Sequence, residues 1–148
     1  MNLLKNVLIE EVNAPISAAS NTDDNTDIVD MAGYEGVVFI VPITDSADTG
    51  VATLTIEQNS ANSDTGMAAL SGAVATATSA ADDDLNGKLL IVDVYRPEER
   101  YLQGAITSAT ANIAFGTAIA IRYGARNKPV TLDATVADGE TAISPAEA

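Results

Sequence analysis

Asp82-Asp83-Asp84-Leu85-Asn86-Gly87 is the segment of this chain that comes nearest to a site for chemistry. Oxygen ligands at Asp82, Asp84 and Asn86, with a glycine at the sharp turn, match the opening of a calcium loop. Asp93 would close the ligand set, where a bidentate Glu is usual. Asp93, however, falls inside an alternating apolar pattern and not at the start of a helix. The same six residues also read as an acidic hairpin turn with Asn86-Gly87 at its tip. Asp23, Asn25 and Asp27 repeat the spacing without the glycine. Calcium is thus the one cofactor for which the sequence offers a place, and the turn is the simpler reading.

Other chemistry is poorly supplied. The chain has no His and no Cys, so Ser–His and Cys–His nucleophilic sites and thiolate metal sites are excluded. No glycine-rich loop precedes a Lys-Ser or Lys-Thr pair, so a phosphate loop is absent. Glu10-Glu11 and Glu98-Glu99 are adjacent carboxylates, which on a strand point to opposite faces and share no site. The expectation is a protein that is not an enzyme.

The second constellation is cationic. The formal charge is −14, yet Lys88, Arg96, Arg100, Arg122, Arg126 and Lys128 cluster in one segment against Asp93, Glu98 and Glu99; elsewhere Lys5 is the lone cation. Such a balance does not suit nucleic acid or an anionic membrane surface, both of which need a net cationic footprint. It suits a specific contact with a partner protein. Tyr95-Arg96-Pro97 and Arg100-Tyr101 set two Arg beside two Tyr around one connection, and both types favour interface cores. The candidate partner-binding residues are therefore Tyr95, Arg96, Arg100, Tyr101, Arg122, Arg126 and Lys128. The alternative is that each Arg pairs with a carboxylate of its own surface.

The elements that must position these residues read as strands. Val7, Ile9 and Glu11 alternate with Leu8, Glu10 and Val12 in a strand of ambiguous facing. Val37, Phe39, Val41 and Ile43 share one face, and Pro42, lacking an N–H, predicts that this strand ends near it or lies on an edge. Leu54 and Ile56 face inward between Thr53, Thr55 and Glu57. Residues 67–81 are rich in Ala but interrupted by Gly72, and the alternation of Val74, Thr76 and Thr78 favours a short strand. Leu90, Val92 and Val94 share a face in the strand after the acidic turn. Tyr101 to Thr107 follows. The longest pattern then places Ile113, Phe115, Ile119, Ile121 and Tyr123 on one face and small residues on the other. Ile16 to Thr26 reads as a polar loop. These patterns predict an all-β fold, an antiparallel β-sandwich of jelly-roll type over residues 1–124. An extended arm with Pro129 and Pro145 follows over 125–148. Met1-Asn2-Leu3-Leu4-Lys5 lacks the features of a signal peptide, and no apolar stretch approaches the ~20 residues of a membrane span. Alanine makes up much of the apolar content and Trp is absent, so the core is thin and association with another surface is expected.

Several blocks resemble a family of small structural proteins of tailed bacteriophages. They are Asp30-Met31-Ala32-Gly33-Tyr34-Glu35-Gly36-Val37-Val38-Phe39, Val92-Asp93-Val94-Tyr95-Arg96-Pro97, Arg100-Tyr101-Leu102 and Tyr123-Gly124-Ala125-Arg126-Asn127-Lys128-Pro129-Val130, with Ser144-Pro145-Ala146-Glu147 near the end. The resemblance implies a decoration or cement protein on the outer surface of the phage head, binding major capsid subunits and associating with itself as a homotrimer or homodimer. A role at the head–tail joint or in the tail is the nearest alternative. A carbohydrate-binding β-sandwich is a further one, weakened by the scarcity of aromatic residues.

Overall fold

The computed structural model describes residues 1–143 together with 146 and 147; Ser144, Pro145 and Ala148 of the expected arm lie outside the described residues. A short 3-10 turn at Leu3–Lys5 precedes 11 strands: β1 (Leu8–Asn13), β2 (Ile16–Ala19), β3 (Asp23–Asn25), β4 (Val29–Asp30), β5 (Gly36–Ser46), β6 (Val51–Asn59), β7 (Ala68–Thr78), β8 (Leu89–Tyr95), β9 (Tyr101–Ala109), β10 (Ile113–Phe115) and β11 (Ala118–Tyr123). Several of these are segments of one interrupted strand. β1 and β2 pair with β11 and β10 respectively, and β11 and β10 lie end to end along one side of β5. β3 and β4 likewise share one side of β9.

Counted this way, the first sheet runs β1/β2, β11/β10, β5, β8 and the second runs β3/β4, β9, β6, β7. All pairings are antiparallel. First strand pairs with last, second with second-last, and so inward to the β6–β7 hairpin, the whole then rolled into two layers. That is a jelly roll, as the strand patterns predicted.

The core lies between the sheets. Val37, Phe39, Val41 and Ile43 of β5 are fully buried and face Leu54 and Ile56 of β6 and Leu102 and Ile106 of β9. The inward faces of β5, β6 and β8 are those that the alternation predicted.

Three local expectations need correction. Pro42 neither ends β5 nor sits on an edge: β5 is central and runs on to Ser46. Ile40 pairs with Ile119 but Ile43 pairs with Phe115, so the neighbouring strand carries an extra residue opposite Pro42. This bulge at Gly116 is where the ladder is already broken, and there a missing N–H costs little. The bulge also flips the side-chain phase. Ile113 and Phe115 point into the core, but beyond it Ala118 and Ala120 are buried while Ile119, Ile121 and Tyr123 turn outward. The polar stretch 16–26 is not a loop either. It contributes β2 and β3, edge segments whose pairing needs only backbone groups.

The flipped phase leaves the first sheet with an apolar outer face. Paired residues point the same way, so the register defines rows across the strands: Glu11–Ile119–Ile40–Ile91, then Ile9–Ile121–Val38–Asp93, then Tyr123–Gly36–Tyr95. In the last row the Tyr123 ring lies over Gly36 and donates its hydroxyl to Asp93 at 2.6 Å. A Cβ on Gly36 would sit 2.3 Å from that ring, so any larger residue must displace the ring. The outer face of the second sheet is instead lined by threonines, among them Thr53, Thr55, Thr76 and Thr78.

After Gly124 no strand is formed among the described residues. The arm does not extend away, however. Val130 N–H donates to the Lys5 carbonyl, Thr135 Oγ1 accepts from Glu11 N–H at 3.0 Å, and Thr141 donates to Asn2. It folds back on the N-terminal segment and blunts the free edge of β1.

Candidate docking site at the arginine corner

Three connections meet at one end of the sandwich: residues 30–36 before β5, 95–101 between β8 and β9, and 123–126 after β11. Their backbones are tied together. Met31 N–H donates to the Arg100 carbonyl, Glu35 N–H to Tyr123, Arg96 N–H to Glu35 and Arg126 N–H to Gly33, all at 2.8–3.0 Å. Between them lies an open groove of about 510 Å³ lined by Tyr34, Glu35, Arg96, Glu98, Arg100 and Arg126, among others.

The arginines of this end fall into two classes. Arg100 is committed: Nε and Nη2 each reach the Asp30 carboxylate at 2.8 Å, a bidentate clamp. That clamp, reinforced by Ala32 N–H, holds the Asp30 carboxyl below its ordinary range. Arg122 is committed more deeply. It points between the sheets, pairs side-on with Glu10 at 3.0 Å, donates to the Asp30 carbonyl at 2.6 Å and stacks 5.0 Å from the Tyr34 ring centroid. Burial nevertheless raises the Glu10 carboxyl against the pull of Arg122. Arg122 thus locks β1, β11 and β4 together and offers nothing to a partner.

Arg96 and Arg126 differ from both. Arg96 is largely exposed and no closer than 4.0 Å to Glu35. Its φ of 53° lies in the left-handed region, which costs a non-glycine residue about 1 kcal/mol. Arg126 is exposed, lines the groove and forms no ion pair with the described residues. Tyr95, with the Arg96 guanidinium 5.1 Å from its centroid, is exposed on the outer face of the first sheet, and Tyr101 lies under Arg100 at 5.2 Å. Lys128 is exposed but not part of the groove lining. The structure therefore gathers Arg96, Arg100 and Arg126, removes Arg122 to the interior and leaves Lys128 outside. Asp30, Tyr34 and Glu35 belong to the corner too. No spacing rule pairs Asp30 with Arg100, 70 residues away in sequence.

The acidic turn is built differently from a cation loop. It is not a hairpin turn, because it carries the chain from β7 in the second sheet to β8 in the first. Asp84 accepts from Ser79 Oγ and Ala80 N–H at 2.8 and 2.9 Å, and these bonds hold its carboxyl below the ordinary range. Asn86 donates to Asp83, and Ser46 Oγ accepts from Leu85 N–H. Asp93 lies four residues into β8, roughly 13 Å along the strand, and is bound to Tyr123. Asp93 thus stands apart from the turn, and among the described residues no group of three or more acidic side chains is placed to hold a metal.

No protein-family model matches the chain, and no curated protein does. Among solved structures, the fold is similar to that of the PBSX exported protein XepA, with a TM-score of 0.52 and 18% sequence identity over 92% of this chain. The match takes in 43% of XepA, so this chain spans less than half the length of that protein, and the likeness is one of fold.

Proposed function

We propose that this chain is a virion structural protein, a decoration or cement protein that binds the outside of a phage head and reinforces contacts between major capsid subunits. The resemblance of its sequence blocks to phage structural proteins supports the class, and the jelly-roll sandwich suits a passive, rigid clamp. The observation that carries the reading is the pair of exposed guanidiniums, Arg96 and Arg126, flanking an open groove on a chain of charge −14. Arg100 and Arg122 are held by local carboxylates at 2.8 and 3.0 Å. Arg96, 4.0 Å from Glu35 and in a strained backbone conformation, and Arg126, with no ion pair among the described residues, are arranged to meet acidic groups of a partner. The partner surface is an acidic patch of the capsid shell.

Arg96→Glu combined with Arg126→Glu tests this, with Arg100 left in place because it clamps Asp30. Occupancy on purified particles, read by gel densitometry and cryo-electron microscopy, is expected to fall at least about tenfold, equivalent to ~1.4 kcal/mol, while the melting temperature is unchanged. Undiminished occupancy overturns the proposal.

A further inference from the structure

We infer that the outer face of the first sheet, β1–β11–β5–β8, is covered by the same face of a second copy of this chain. The inference does not rest on the arginine corner, which lies at the end of the sandwich and meets this face at Tyr95.

Strands buried on one side alternate, whereas strands buried on both sides read as continuous apolar runs. Val37 to Val41 in β5 and Leu89 to Val92 in β8 are such runs. One side of each is covered by the second sheet. The other side has no cover among the described residues: Leu89 is 53% and Ile91 50% exposed, while Val38 and Ile40 of the central β5 are part-buried by their neighbours. The arm does not cover it, since its described contacts run to the β1 edge and the N-terminal segment. The threonine-lined face of the second sheet marks what an outer face meant for water looks like in this same chain.

The charge pattern favours a copy of the chain as the cover. Copies at −14 repel everywhere except across a face whose centre is uncharged. Its two carboxylates stand at opposite margins and in different rows, Glu11 on β1 and Asp93 on β8, and Asp93 is engaged by Tyr123. Turning one copy about an axis parallel to the strands lays β11 over β5 and β1 over β8. Ile119 then meets Ile40 and Ile121 meets Val38, while each carboxylate falls over an isoleucine and neither over the other. The contact is self-complementary, as a two-fold interface must be, and two sheets of the same twist stack in the aligned manner of a sandwich.

The size sets the strength. Four strands ~4.8 Å apart and rows ~6.7 Å apart give a face of roughly 19 by 20 Å, on the order of 400 Å² per copy. That is comparable with the largest apolar patch of a typical monomer, about 300–600 Å². It is about half the ~800 Å² per partner of a standard interface. The pair is therefore concentration-dependent and not obligate, and it is strengthened where copies are held close together on a scaffold.

Sedimentation velocity of the full chain, from about 10 μM to about 1 mM, reads this directly. The expected result is a monomer–dimer equilibrium that tightens as NaCl rises from about 0.05 to about 1 M, because salt screens the repulsion between like-charged copies. Ile91→Lys, at an exposed site, raises the dissociation constant at least about tenfold with circular dichroism unchanged, although the added cation lowers the net repulsion. Val74→Lys, 51% exposed on the second sheet, changes it less than about twofold. The inference is overturned by a monomer at every concentration. It is equally overturned by equal effects of the two variants, or by association that weakens with salt, which would indicate arginine–carboxylate contacts instead.

Discussion

Arg122→Ala puts the interior ion pair to the test. Both side chains are largely buried, 13% exposed for Arg122 and 15% for Glu10, and the guanidinium also satisfies the Asp30 carbonyl. Removing it strands a carboxylate that burial already disfavours. Breaking a buried pair from one side costs about 3–5 kcal/mol. The residual exposure places the expected loss near the lower end, ~3 kcal/mol, which for a chain of this size is a fall of about 6–12 °C in melting temperature. Urea denaturation at pH 7, analysed by linear extrapolation, reads the loss. Its pH dependence supplies a second signature. The folded-state pKa of Glu10 is raised, so its penalty is absent below the unfolded value of about 4.5 and grows as pH rises through the folded value. Without Arg122 that folded value climbs further, so the deficit of the variant is largest at neutral pH and shrinks on acidification. Replacing both partners, Glu10→Leu with Arg122→Met, is expected to restore most of the stability. A loss below about 1 kcal/mol that does not vary between pH 7 and 4.5 would mean that the pair is solvated and the argument for its structural role is wrong.

Two further outcomes are expected. Gly36→Ala forces the Tyr123 ring off the sheet and breaks its bond to Asp93, costing about 1–3 kcal/mol by thermal melting; a neutral effect would show that the ring is free to move. Asp30, Asp84 and Asp133 have depressed folded-state values, so the stability they contribute is present above about pH 4 and lost as pH falls through those values, while Glu10 works in the opposite sense. Melting temperature should therefore hold or rise from pH 7 to about 4.5 and drop below pH 4; a steady decline from neutrality would contradict this.

The sequence made the layers legible and the joints illegible. Val37, Phe39, Val41 and Ile43 announce their face because period-2 alternation is a local property. The phase flip after Phe115 depends on one extra residue opposite Pro42, and that is visible only once Ile40 and Ile43 have found partners more than 70 residues on. The same limit governs the arginine corner. Clustering marked Arg96, Arg100 and Arg126 together, but which of them is free depends on where Asp30 and Glu10 arrive. Arg122 shows the difference: in sequence it is one cation among several, and in the fold it alone faces inward, opposite Leu8 and one row from Ala120. Asp23 to Asn25 form a strand despite their polarity because an edge segment needs only its backbone.

The nesting of first strand on last has a kinetic consequence. Among the described residues only β6 and β7 are consecutive strands that pair, so only that hairpin can form early from local contacts. Every other pairing encloses it, and the closure entropy must be met before the contact forms. Such high contact order places folding in the millisecond-to-second range. β11, which sits between β1 and β5, is synthesised after the ten other strands. Until it arrives the first sheet cannot assemble, and the apolar runs of β5 and β8 wait with both faces open. The acids concentrated ahead of those runs give the nascent chain an electrostatic guard through that interval.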